Sequence, residues 1–286
     1  MYGSLQELCE LEEKSGKPFW KIVQEDDCRE QGITEEVSFE QMRAMYQAMK
    51  DADARYDEKL KSESGLVGTE GKKMMEARAE GTLLCGDFIG KVMEKALKTS
   101  ESNACMKRIV AAPTAGSCGV VPAVFLSLQE EKGYSEEKMV EALFAAAGIG
   151  GVIAERAFLA GAAGGCQAEI GSASCMAATA ITYIRGGSTK QIFDAGAFAL
   201  KSLLGLVCDP LGGLVEVPCI KRNVIGSVNA ITASDMAMAG IESKVPLDEV
   251  IDAMAEVGDL LPCSLKETSQ AGLAQTETGK KYMPEL

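Results

Sequence analysis

From Asn103 to Gly240 the sequence is dense in alanine and glycine, poor in charge, and almost free of the two-residue alternation of a half-buried strand. Small residues along extended apolar stretches suit helices whose backbones approach closely, so this pattern points to an all-α, mostly helical fold. The most apolar run, Leu143 to Ala154, ends after 12 residues at Glu155 and Arg156. It is too short to cross a bilayer, so no membrane partner is expected, and Glu155–Arg156 reads as an interhelical ion pair.

Periodicity and turn residues place helices at about 38–61, 72–97, 118–131, 135–160, 167–185, 188–205, 217–240 and 246–258. Phe39, Met42, Met45 and Met49 recur every three to four residues, and with Met74 and Met75 they read as core positions. Ser135 and Ser188 stand at helix starts, the second with Gln191 placed to complete a capping box. The Ser62–Gly71 segment, with Gly65, Gly68 and Gly71, ends the first of these helices, while Gly186–Gly187 and Gly212–Gly213 mark breaks. The expected organisation is an N-terminal helical segment over residues 1–61 folded on a compact Ala/Gly-rich catalytic domain over 62–286, as one continuous unit.

Two counts limit the chemistry. Lys and Arg number 29 against 42 Asp and Glu, a net charge of -13, which argues against a nucleic-acid partner because phosphate backbones call for clustered cations. There is no histidine, so histidine triads and histidine-ligated zinc or haem are excluded within this chain. The ten cysteines follow an N-terminus without an export signal, which implies a reducing, cytoplasmic setting and free thiols in place of disulfides.

Three of those cysteines stand against turn residues. Cys166 follows Gly161, Gly164 and Gly165 and precedes a helical stretch, where a helix N-terminus favours thiolate. Cys208 and Cys219 bracket ten residues that contain Pro210, Gly212, Gly213 and Pro218, a loop able to bring its ends together. A single cysteine in such a helix is ordinarily a small apolar packer, as free cysteine is among the most buried residue types. If the three do bind metal, structural zinc fits poorly, for there is no C-x2-C pairing and no imidazole. Soft thiolates alone suit an iron-sulfur cluster better, and three of them on a cubane leave one iron open as a Lewis acid.

A second constellation is Pro113-Thr-Ala-Gly-Ser-Cys-Gly, a small-residue turn entering an apolar helix, where backbone N–H groups are expected to face a carboxylate. An ordinary loop-to-helix junction has the same composition. Ser62 and Ser64 offer hydroxyls in the first Gly-rich segment, which lacks the spacing of a nucleotide-binding loop. Lys221-Arg222-Asn223, just after Cys219, reads either as an offset to thiolate charge or as a solvated helical turn.

Three blocks, NACMKRIVAAPTAGSCGVVPAVF, GAAGGCQAEIGSASCMAATA and LVCDPLGGLVEVPCIKRNVIGSVNAITASDMAMAGI, resemble the alpha subunit of the bacterial iron-sulfur L-serine dehydratases (L-serine ammonia-lyases). The resemblance runs from about Ser62 to Thr278. It implies a mostly helical catalytic domain, a [4Fe-4S] cluster on Cys166, Cys208 and Cys219, and deamination of L-serine to pyruvate and ammonia in amino-acid catabolism. The open iron would hold the leaving hydroxyl while a base takes the α-proton. By motif, Ser62, Ser64, Gly65, Asn103, Thr114 and Gly116 would line the substrate site. Lys73 is a candidate base provided that burial lowers its pKa; a group on a partner chain is the alternative.

The chain departs from the family pattern in places. SGLVGTEG stands where SGLTGGDA is usual, and Cys118 and Cys175 replace small residues. A histidine-containing SSHT-type motif and a cysteine in the C-terminal tail, both present in single-chain members, have no counterpart here. This implies a separate beta subunit and hence a hetero-oligomer, with the fourth iron held by water, by substrate or by a thiol such as Cys118 or Cys263. The rival expectations are a related cluster enzyme acting on another small amino acid, in the manner of an L-cysteine desulfidase, and a non-catalytic subunit whose cysteines only pack. A pyridoxal-phosphate enzyme would want a lysine beside a Gly-rich phosphate loop, usually on an α/β scaffold, and the strand signal is weak.

Overall fold

A computed structural model describes residues 2–283. Among them, three helices form an N-terminal layer: α1 (Leu5–Ser15), α2 (Phe19–Gln31) and α3 (Glu35–Ala54). Next come α4 (Glu70–Ala79), α5 (Gly86–Ala104), α6 (Val120–Lys132), α7 (Glu136–Arg156) and the single turn α8 (Gly161–Gly164). A π-helical turn, Gln167–Gly171, leads into α9 (Ser172–Ile184), followed by α10 (Thr189–Lys201), α11 (Cys219–Met238) and α12 (Leu247–Leu260). No sheet is present among the described residues. The one bridge pairs Cys208 with Lys266.

The small residues account for the packing. Almost every residue of α9 is buried, and α6, α7, α10 and α11 pack around it. A Cβ at Gly196 of α10 would stand 2.7 Å from Thr179 Cγ2, and one at Gly226 of α11 would stand 2.8 Å from Ile170 Cγ2. Side chains there would push the helices apart. The N-terminal layer joins the same core, for Leu5, Leu8, Phe19 and Tyr46 are buried with Phe125, Phe144 and Leu200. Trp20 lies 6.2 Å from both Phe39 and Phe144, centroid to centroid, which fastens α2 and α3 to α7.

The expected helix starts hold. Ser135 accepts from Lys138 N, and Ser188 and Gln191 form the reciprocal capping box. Other expectations need correction. The helix expected over 72–97 is two helices, because Gly81 and Gly86 adopt φ of +68° and +75° and turn the chain between them. The first expected helix ends at Ala54, short of Lys61. Met49 is buried as core, whereas Met45 and Met75 are exposed on the outer faces of their helices. Arg156 does form an interhelical ion pair, but with Asp252 of α12 at 2.6 Å, and Glu155 is exposed. No helix of the described residues is long and apolar enough to cross a membrane.

Candidate functional site

Gln167 is the staple that places Cys166. Fully buried, it donates to the carbonyls of Gly164 (2.9 Å) and Met254 (3.1 Å) and accepts from Gly205 N (2.8 Å), while its own N–H donates to Leu206 O. Cys166 is thereby sewn to the strand-like segment that leads into Cys208. Gly165, immediately before Cys166, has φ +78°, and a Cβ there would meet Leu206 O at 3.0 Å, so a side chain is excluded. The π-helical turn after Cys166 swings Glu169 toward the same region; such turns recur at functional sites.

Cys208 is fixed by the C-terminal segment. Its N–H donates to Leu265 O and its carbonyl accepts from Glu267 N, each at 2.8 Å. Asp209 accepts from Leu273 N at 2.8 Å and from Arg222 Nη2 at 2.9 Å. Cys219 opens α11, and one turn later Asn223 donates to Cys219 O (3.0 Å) and Gly116 O (2.8 Å) while accepting from Gly119 N (2.8 Å). The Thr114–Gly119 turn is thus locked onto the helix that carries Cys219.

These ties bring three cysteine residues, Cys166, Cys208 and Cys219, 2%, 3% and 7% exposed, out of solvent and within reach of one another's charge. Burial pushes the Cys166 thiol up to about 11, against the pull of the Arg222 guanidinium that donates to it. Burial and the negative charge of Cys166 and Glu169 push Cys219 to about 12. Cys208 is raised too, by burial and then by Cys166 and Glu169. Thiols so placed stay protonated near neutral pH in the metal-free chain, so a metal that binds them must displace those protons. Among the described residues no three His, Cys, Asp or Glu are gathered tightly enough for a single metal ion. A polynuclear cluster holds its thiolates further apart than one ion does, so three converging cysteines fit it better.

Glu169 accepts from Thr114 Oγ1 at 2.7 Å and is flanked by two glycines. A Cβ at Gly116 would lie 2.7 Å from Oε1; one at Gly161 would lie 2.8 Å from Oε2 and 3.0 Å from Cys208 Sγ. Its pKa is raised, first by burial and then by the charge of Glu267, with the Thr114 hydrogen bond opposing.

The structure brings most of the expected substrate residues to this centre or to its supports. Thr114 and Gly116 touch Glu169, and Asn103 Nδ2 donates to Ala115 O at 3.4 Å. The N–H groups of Ser117 and Cys118 are used inside the turn and that of Gly119 by Asn223, so of the expected outward amides those of Ala115 and Gly116 are left by these bonds. Ser62 and Ser64 both donate to Glu216, which lies in the loop between Cys208 and Cys219; the first bond is 3.0 Å. Gly65 closes the serine turn through its N–H to Ser62 O and has φ +73°. Lys73 is exposed on α4, without the burial a lysine base requires. Lys221 and Arg222 divide: Lys221 is an exposed partner of Glu70, while Arg222 turns inward to Cys166, Asp209 and Val207 O.

Sequence reasoning passed over Gln167, Glu169 and Glu216, and named Asn223 only with Lys221 and Arg222 as a charge offset or a solvated turn. The first three are polar residues set in an otherwise apolar or small-residue run, and Gln167 and Glu169 lie inside the GGCQAE segment beside Cys166. That contrast was the available signal, since a polar residue in such a run needs a partner.

Fold and centre together define an all-helical enzyme built around a buried group of three cysteines. The serine dehydratase alpha chain family matches residues 14–274. The "Probable L-serine dehydratase, alpha chain" of Bacillus subtilis is 43% identical over 281 residues, covering 98% of this chain and 94% of the relative. The "L-serine dehydratase, alpha chain" of Peptoniphilus asaccharolyticus is 39% identical over 282 residues, covering 98% and 97%. The "L-serine dehydratase" of Streptomyces coelicolor is 45% identical over 181 residues, which are 63% of this chain and 40% of that longer protein. The chain belongs to the serine dehydratase alpha chain family.

Proposed function

We propose that the chain is the catalytic alpha subunit of a two-chain, cytoplasmic L-serine dehydratase, with residues 62–286 carrying the chemistry and residues 1–61 supporting them. The observation that carries this is the convergence of Cys166, Cys208 and Cys219 beside the Thr114–Gly116 turn and Glu169. Cys166, Cys208 and Cys219 would hold a [4Fe-4S] cluster. When bound, the cluster supplies an iron with an open position, a Lewis acid for the leaving hydroxyl of L-serine.

The residues of the chain bind and orient. The amides of Ala115 and Gly116, with Thr114 and Asn103 at either side, receive the substrate carboxylate at the start of the turn. Asn223 holds that turn in register with Cys219, so carboxylate and leaving hydroxyl are positioned by one rigid unit. Ser62 and Ser64, in the turn that Gly65 closes, act through Glu216, which they fix within the loop joining Cys208 and Cys219. The C-terminal segment from Leu265 to Leu273 covers Cys208 and Asp209 and keeps water from the thiols. Removal of the α-proton falls to a group brought by a separate beta subunit, because Lys73 is exposed. Loss of the β-hydroxyl then gives aminoacrylate, which tautomerises and hydrolyses to pyruvate and ammonia.

The test is anaerobic purification with and without a co-expressed beta subunit, following pyruvate formation from L-serine and visible absorption. The expected result is brown protein that turns over L-serine when paired, with colour and activity lost together in Cys208→Ala. Colourless protein with full activity contradicts the proposal, and iron-free protein with or without its partner favours a packing role for the cysteines.

A further inference from the structure

Glu169 has no cationic partner. Among the described residues no Lys or Arg forms an ion pair with it, and the guanidinium at this centre, Arg222, is committed to Asp209, Val207 O and Cys166. The charges that do reach the Glu169 carboxylate are negative: Glu267, and the three thiols whenever they ionise. A partly buried carboxylate facing other anions is costly to keep ionised, and either a proton or an arriving cation relieves that cost. Its hydrogen-bond donor among the described residues, Thr114 Oγ1, orients Oε1 and brings no charge. Gly116 abuts Oε1 and Gly161 abuts Oε2, and neither residue sets a side chain against the carboxylate.

The position of the carboxylate narrows what that cation can be. Gly116 supplies a turn amide and at the same time abuts Glu169 Oε1, which makes an anion receptor and a cation receptor immediate neighbours. An α-amino acid carries its carboxylate and ammonium on one carbon and needs such adjacent receptors. We infer that Glu169 receives the α-ammonium of the substrate and thereby makes the site selective for amino acids over the corresponding hydroxy acids. The inference rests on the proposed reading of the chain as a dehydratase of L-serine. A site built to bond a substrate N–H group rejects strongly an analogue that lacks it, since its own polar group is then left unpaired.

The test uses the anaerobic two-chain holoenzyme and a matched pair of competitive ligands. L-Alanine and L-lactate differ in carrying an ammonium or a hydroxyl at the α-carbon, and neither has a β-hydroxyl to lose. Wild-type protein is expected to prefer L-alanine by about tenfold or more, and Glu169→Gln to cut that preference below about threefold. The Glu169→Gln protein is also expected to raise KM for L-serine more than it lowers kcat, with iron and sulfide content unchanged. Glu169→Asp, which keeps the charge, retains part of the preference and decides the matter should Glu169→Gln lose its metal. A wild-type site without preference for L-alanine overturns the inference, as does a preference that survives in Glu169→Gln or, if that variant loses metal, is abolished in a metal-replete Glu169→Asp. Wild-type protein that forms no pyruvate from L-serine counts instead against the proposed function.

Discussion

Asn223 and Gly116, 107 positions apart in the chain, are joined by a 2.8 Å hydrogen bond from the Asn223 amide to the Gly116 carbonyl. The same side chain satisfies Cys219 O and Gly119 N, so one buried asparagine ties the start of α11 to the turn beside Glu169. Asn223→Ala removes all three bonds and leaves buried backbone groups unpaired. A stability loss of about 2–4 kcal/mol by urea unfolding is expected. A loss below about 0.5 kcal/mol would show that this tie contributes little.

Gly161→Ala tests the close approach of α8 to the centre. The added methyl would meet Glu169 Oε2 at 2.8 Å and Cys208 Sγ at 3.0 Å, so carboxylate, sulfur or both must move. Overpacking of this kind costs about 1–3 kcal/mol. Turnover of L-serine by the proposed two-chain enzyme is expected to fall at least tenfold, roughly the effect of a misplaced contact group. Gly3→Ala is the control, because a Cβ there meets nothing nearer than Glu7 Oε2 at 3.9 Å. Equal activity in the two variants would remove the steric account of Gly161.

Alkaline pH should weaken the metal-free chain. Burial holds the Cys118 thiol up at about 12, and burial with the charge of Glu12 and Glu13 holds Cys9 at about 11. In the unfolded chain these thiols ionise near about 8.5–9. A folded-state pKa above the unfolded one gives stability that is complete below the unfolded value and lost as pH rises through the folded one. Urea midpoints should therefore fall from about pH 9 upward, with a shallower fall in Cys118→Ala. Midpoints that rise over that interval would contradict the assigned direction.

Much of this architecture is written in local pattern. The Ala/Gly density of residues 103–240 announces close helix packing, as Gly196 and Gly226 demonstrate, and Ser135 and Ser188 mark helix starts by chemistry that acts within one turn. The split between α4 and α5 was not legible, since Gly81 in a helical pattern is decided by whether the chain must turn there. The same division holds at the centre. Cys166, Cys208 and Cys219 stand out through their flanking Gly and Pro. Glu169, Gln167 and Asn223 acquire their roles from partners 38 to 107 positions away, which no local pattern encodes. Arg222 and Lys221 are adjacent in sequence, yet α11 turns one toward the thiols and the other toward Glu70.

Iron and acid-labile sulfide quantitation on anaerobically prepared single-cysteine variants tests the central claim most directly. Wild-type chain, Cys118→Ser and Cys175→Ser should each hold about four irons and about four sulfides per chain, whereas Cys166→Ser, Cys208→Ser and Cys219→Ser should each lose most of that metal. Wild-type chain without iron, or full iron retained in those last three variants, would contradict a cluster held by Cys166, Cys208 and Cys219.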